Sequence, residues 1–91
     1  MSDRRVRVRV SGTVQGVFYR ASTRDAARKH GVHGWVRNRS DGDVEAVFEG
    51  SAGAVEAMIE WCHTGSPRAS VRSVTVEEEE PEGITGFEIV R

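Results

Sequence analysis

Gly34-Trp35-Val36-Arg37-Asn38-Arg39-Ser40-Asp41-Gly42-Asp43-Val44-Glu45-Ala46-Val47-Phe48-Glu49 is the stretch that decides the fold. Two β-prone runs, 34–38 and 44–49, flank Arg39 to Asp43, and the Asp41-Gly42 pair is a strong hairpin signal because tight hairpin turns need residues that accept positive φ. The two runs therefore predict antiparallel strands. Upstream, Val6, Val8 and Val10 alternate with Arg5, Arg7 and Arg9, the period of two expected of a strand with one buried and one wetted face. The alternation breaks from Gly12 to Gly16. After Arg20, the spacing of Thr23, Ala26, Ala27 and His30 predicts a short helical stripe that Gly31 terminates. Downstream, Ser51 is a plausible N-cap, and Val55, Met58, Ile59 and Cys62 fall at i, i+3, i+4 and i+7, the buried face of a second helix ending near Gly65 and Pro67. Val71, Val74 and Val76 mark a fourth strand that runs into the acidic segment Glu77 to Glu80, read as a solvated strand end. Phe87 and Ile89 mark a short final strand.

The order is β-α-β-β-α-β plus that short strand. Two β-α-β units around a hairpin can close into an antiparallel sheet with both helices packed on one face, which is the α+β ferredoxin-like sandwich. No internal repeat, linker or low-complexity segment divides the 91 residues, so one domain over 1–91 is expected.

Composition narrows the functional classes. Hydrophobic residues make up 37% and charged residues 30%, with only 2 prolines, a balance that fits a folded soluble domain. With 13 basic and 14 acidic residues the formal charge is -1, which gives no electrostatic case for nucleic acid or an anionic membrane. The single cysteine, Cys62, rules out an internal disulfide and a cysteine-based tetrahedral zinc site, and suits a reducing cytoplasm. Met1 to Arg9 alternates arginine with valine and leads into no apolar stretch, so neither a signal peptide nor a membrane span is expected.

The chemistry concentrates in Gly12-Thr13-Val14-Gln15-Gly16-Val17-Phe18-Tyr19-Arg20. This segment joins the first strand to the first helix, where backbone N–H groups have neither a ladder nor a helical partner. Two glycines let successive amides turn into one concavity, and the helix adds its positive N-terminal end, so the loop suits a phosphate-sized anion. Arg20 adds a planar guanidinium fork able to hold two phosphate oxygens. Glycine spacing alone is also compatible with an ordinary strand-to-helix loop carrying a solvated arginine.

Gly12 to Arg20, followed by Ala27, Gly31, Gly34-Trp35-Val36-Arg37-Asn38, Asp41-Gly42 and Val44-Glu45, resembles the acylphosphatase family, as do the Gly65-Ser66-Pro67 turn and Gly86-Phe87-Glu88-Ile89. The resemblance implies a ferredoxin-like fold and a phosphate cradle built from Val14, Gln15, Gly16, Val17, Phe18, Tyr19 and Arg20, with Arg20 as the phosphate-binding arginine. It further implies that Asn38 orients the attacking water. Hydrolysis of an acyl phosphate would then need no metal and no cofactor. Loop amides and Arg20 stabilise the equatorial oxygens, and the carboxylate leaving group needs no strong acid because carboxyl groups already ionise at about pH 4. Thr13 stands where the family commonly has a basic residue, and Arg39 where a small hydroxyl residue is common; these departures bear on substrate preference and on the support around Asn38.

His30, His33 and His63 are scattered and form neither a metal triad nor a nucleophile-base pair. Cys62 lies on an apolar helical stripe and reads as core, and Trp35 and Trp61 read as packing residues. The competing reading is a ferredoxin-like binding module. Its RNA-recognising version lacks the aromatic array and basic stripe that stacking on bases demands; a small-molecule regulatory version would use the same anion loop. An acyl phosphate substrate, with carbamoyl phosphate as another candidate, and a monomeric state are expected.

Overall fold

The computed structural model describes residues 3–91, so the first two residues of the Met1 to Arg9 segment lie outside the described residues. Strands β1 (Arg4–Thr13), β2 (His33–Asn38), β3 (Val44–Gly50), β4 (Ser70–Glu79) and β5 (Phe87–Ile89) alternate with helices α1 (Tyr19–Lys29) and α2 (Ala52–Thr64) in the expected order. The sheet runs β4-β1-β3-β2-β5. Four strands pair antiparallel, but β5 lies parallel to β2, with Gly34 opposite Phe87 and Val36 opposite Ile89. The expectation of a wholly antiparallel sheet is thus corrected at its edge: direction along a short edge strand is set by its connection, which leaves no trace in the residues of the strand itself.

Alternation in β1 sorts the two faces. Val6, Val8 and Val10 meet Phe48, Ala46 and Val44 of β3 on the helix side, and with Val36, Tyr19, Ala27, Val55, Met58 and Cys62 they form one buried cluster. Ser51 caps α2 by accepting from the Ala54 amide at 3.3 Å. Cys62 is buried in the core, where loss of water pushes its thiol up to about 12. His30, expected at the end of the α1 stripe, is the exposed C-cap of that helix.

The opposite face carries a lattice of ion pairs. Arg5 bonds Glu49 and Glu79, Arg7 bonds Glu45 and Glu79, and Arg37 reaches Glu45. Arg7 and Arg37 also sit over the Trp35 ring, 5.3 and 5.7 Å from its centroid. The acidic segment is therefore not merely solvated: Glu79 joins this lattice through Arg5 and Arg7, while Glu78, opposite Val6 and so on the helix side, bonds Arg4. Every residue of β3 is buried, including Glu45 and Glu49, because helices cover one face and paired guanidinium groups the other.

Candidate active site

Both β1 and β2 run antiparallel to β3, and β5 runs parallel to β2, so the C-terminal ends of β1, β2 and β5 meet at one end of the sheet. Val44 marks that end, with Val10 opposite it on one side and Asn38 on the other. The segment 14–18 leaves β1 there and α1 begins there.

A register shift separates Ser11 from Gly12 where β1 turns into this segment. Gly12 has φ 127°, and a Cβ at that position would stand 2.2 Å from the Ser70 carbonyl oxygen, so no larger residue fits. The turn continues through Gly16, with φ 75°, and Phe18, with φ 62°. Among the described residues, none of the backbone N–H groups from Gln15 to Arg20 donates to a protein acceptor. Phe18 caps α1 in a left-handed conformation without a side-chain capping bond, which leaves the donors of the first turn open for an anion.

Three anchors hold the loop from behind. Gln15 Nε2 donates to the carbonyls of Arg39 and Asp43 at 2.8 and 2.9 Å. Ser66 Oγ, buried, donates to the Val17 carbonyl at 2.7 Å. Tyr19 turns its ring into the core, where its hydroxyl donates to the Cys62 carbonyl at 2.8 Å and its ring meets Trp61 with centroids 5.4 Å apart. Burial raises the Tyr19 phenol far above its ordinary value and keeps it protonated.

In front of the loop lies a recess of about 310 Å³ lined by Val14, Gly16, Phe18, Tyr19, Arg20, Ala21 and Ile89. Arg20 is exposed and, among the described residues, makes no ion pair, a state it shares with Arg68, Arg72 and Arg91, whereas Arg4, Arg5, Arg7, Arg9, Arg24, Arg28, Arg37 and Arg39 all have carboxylate partners; of the unpaired arginines it is the one that lines this recess. An uncommitted guanidinium beside open amides is able to take a dianionic phosphoryl group.

Asn38 does not line that recess. It borders a separate depression with Arg37, Arg39 and Ser40, at the end of the same strand whose Val36 faces Ile89. Its Oδ1 is buried and, among the described residues, has no hydrogen-bond partner. A buried amide oxygen left without a donor loses roughly 1–3 kcal/mol, so an orphan of this kind at a strand end points to a missing donor such as a water. The structure thus puts Val14, Gly16, Phe18, Tyr19 and Arg20 around one concavity; Gln15 and Val17, read with them as cradle residues, are not part of its lining, and Asn38 borders a separate depression. The supporting groups Gln15 and Ser66 act through neutral hydrogen bonds to distant carbonyls; Gln15 was visible in the sequence only as a cradle residue, and Ser66 only as part of a turn.

The family model described as acylphosphatase matches residues 6–89. An acylphosphatase of Haloquadratum walsbyi is 70% identical over 93 residues, covering 100% of each chain, and one of Natronomonas pharaonis is 63% identical over 92 residues, again covering 100% of each. In three dimensions the chain is similar to the crystal structure of acylphosphatase from Bacillus subtilis, with a TM-score of 0.94 and 38% identity over 97% of this chain and 99% of that one.

Proposed function

Because the chain belongs to the acylphosphatase family and has acylphosphatase activity, we propose that its hydrolysis of acyl phosphates proceeds by attack of a water at phosphorus, with Arg20 and the amides of residues 14–20 holding the phosphoryl group and Asn38 holding the water. The observation that supports this reading is the orphaned Asn38 Oδ1, a buried acceptor at the same end of the sheet as the loop of open donors.

A water donating one hydrogen to Oδ1 is fixed in orientation with a lone pair free for phosphorus. Holding two reactants in line removes entropy that the reaction would otherwise lose at the barrier. As the water oxygen bonds to phosphorus, the bond from phosphorus to the acyl oxygen breaks and its electron pair leaves on the carboxylate. The guanidinium of Arg20 and the loop amides neutralise charge on the three equatorial oxygens without rearranging, the largest single source of rate in such sites. The water's proton passes to a phosphoryl oxygen, so no side-chain base is required, and none of the three histidines lines either concavity. No metal or cofactor enters this scheme. We place the protein in the cytoplasm as a monomer acting through one domain; no helix among the described residues is long and apolar enough to cross a membrane.

Hydrolysis of acetyl phosphate in ¹⁸O-labelled water, with chelator present, tests the reading. The expected result is turnover with label in inorganic phosphate alone and competitive inhibition by added phosphate. Label in the acetate would mean attack at the carbonyl carbon and would overturn it.

A further inference from the structure

Phe18 is the one non-glycine residue with positive φ among the described residues, at 62°. Glycine meets that geometry without strain and asparagine with little, whereas a bulky side chain is disfavoured there. The same loop uses glycine at position 16, where φ is 75°. The ring recovers nothing by packing: it is 76% exposed and lies outside the set of hydrophobic residues that contact the core. Folding therefore gains nothing from an aromatic group at this position, yet the left-handed backbone turns it toward solvent at the wall of the recess. The same recess is lined by Ile89, half-buried, with Val14 and Ala21, while Arg20 supplies its charge. A concavity lined by one guanidinium and several apolar side chains suits a ligand with an anionic head and an apolar tail.

We propose that Phe18 and Ile89 form a contact surface for the acyl chain, so that the protein favours phosphates of apolar carboxylic acids several carbons long over acetyl phosphate. The inference rests on the phosphoryl group lying on the loop amides as described above. In-line displacement puts the acyl oxygen on the side of phosphorus opposite the water. Asn38 and Phe18 border different concavities, as that division requires.

The test is a series of linear acyl phosphates from acetyl to hexanoyl, whose carboxylates are almost equally basic and so leave equally well. Complete burial of a methylene corresponds to about a fourfold gain, and an open recess should retain about half of that free energy, so hexanoyl phosphate, with four more methylenes, should exceed acetyl phosphate about fifteenfold in kcat/KM. Phe18→Asn, which suits the left-handed backbone and so keeps the loop folded, should compress that ratio to about threefold or less. Ile89→Ala should compress it as well. A wild-type series that is flat while acetyl phosphate is still hydrolysed, or a Phe18→Asn series as steep as wild type, overturns the acyl contact and leaves the phosphate cradle intact. Failure to hydrolyse any member of the series removes both.

Discussion

The side-chain amide of Gln15 donates to the backbone carbonyl of Arg39 across 2.8 Å, and its second hydrogen reaches the carbonyl of Asp43 at 2.9 Å. One side chain thus ties the cradle to both ends of the turn that follows Asn38. Glutamine suits the task because its NH2 group carries two donors, one for each carbonyl.

Replacing Gln15 with Leu keeps the volume and removes both bonds, so a loss of about 1–2 kcal/mol in stability is expected. If the tether also sets where Asn38 sits relative to the cradle, kcat should fall about tenfold while inhibition by phosphate changes less than threefold, because misplacement of the water slows the chemical step without touching the anion donors. Equal effects on both constants would mean that Gln15 supports only the loop.

Arg20→Gln should separate from it clearly. Arg20 is exposed and, among the described residues, without an ion pair, so the denaturation midpoint should correspond to a change within about 0.5 kcal/mol. Loss of a preorganised charged donor should nevertheless lower kcat/KM by about 10²–10³ and weaken phosphate inhibition. A folded variant with near-normal turnover would remove Arg20 from the reaction.

Asn38→Ala removes a buried acceptor that has no protein donor among the described residues. Stability should hold within about 1 kcal/mol, because no protein hydrogen bond to Oδ1 is lost, while kcat drops at least about a hundredfold and phosphate affinity stays within about threefold. Denaturation in urea, phosphate inhibition and turnover measured on the same preparation decide it. Normal turnover would rule out the water-holding role, and a tenfold weaker phosphate affinity would place Asn38 in the anion site.

Acid should weaken the fold through the lattice on the open face of the sheet. Burial by itself would raise Glu49 and Glu45, but the Glu82 amide, Arg5 and the Gly83 amide hold Glu49 below the usual carboxylate range, and Arg37 and Arg7 do the same for Glu45. A carboxylate with a depressed folded value contributes stability that is complete above its unfolded value, about 4.3, and is lost as pH falls through the lower folded value. The urea midpoint should therefore be level from pH 7 to about 5 and decline below about 4. Glu49→Gln, which retains shape but not charge, should lower the midpoint at pH 7 and flatten the decline; an unchanged acid slope would exclude Glu49 from it.

The parts of the fold fixed by local chemistry are legible in the residues alone. Asp41-Gly42 set the hairpin, alternation set β1, and the spacing from Val55 to Cys62 with Ser51 at its head set α2, because each depends on neighbours in sequence. What escaped depends on neighbours in space. The parallel run of β5 follows from where its connection lands, and the role of Glu78 and Glu79 from which guanidinium groups lie across the sheet. Trp35, read as a packing residue, lies under Arg7 and Arg37 on the face away from the helices. At the site, the residue types of the cradle suggested an anion loop, but Asn38 alone reads as a strand-end residue. Only family resemblance singled it out, and its orphaned oxygen has no sequence signature. The left-handed Phe18 was equally invisible, since that geometry normally announces itself as glycine.

The parallel pairing of β5 with β2 has a consequence for biosynthesis. Arg20 and Asn38 emerge early from the ribosome, whereas Ile89, the far wall of the recess, arrives only after the hairpin, α2 and β4 have been made. Bringing such distant segments together closes a long loop, whose entropy must be lost before the strand contacts compensate it. A nascent chain therefore holds every group proposed for the chemistry well before it can enclose a substrate, and the appearance of turnover during translation would time the docking of its shortest strand.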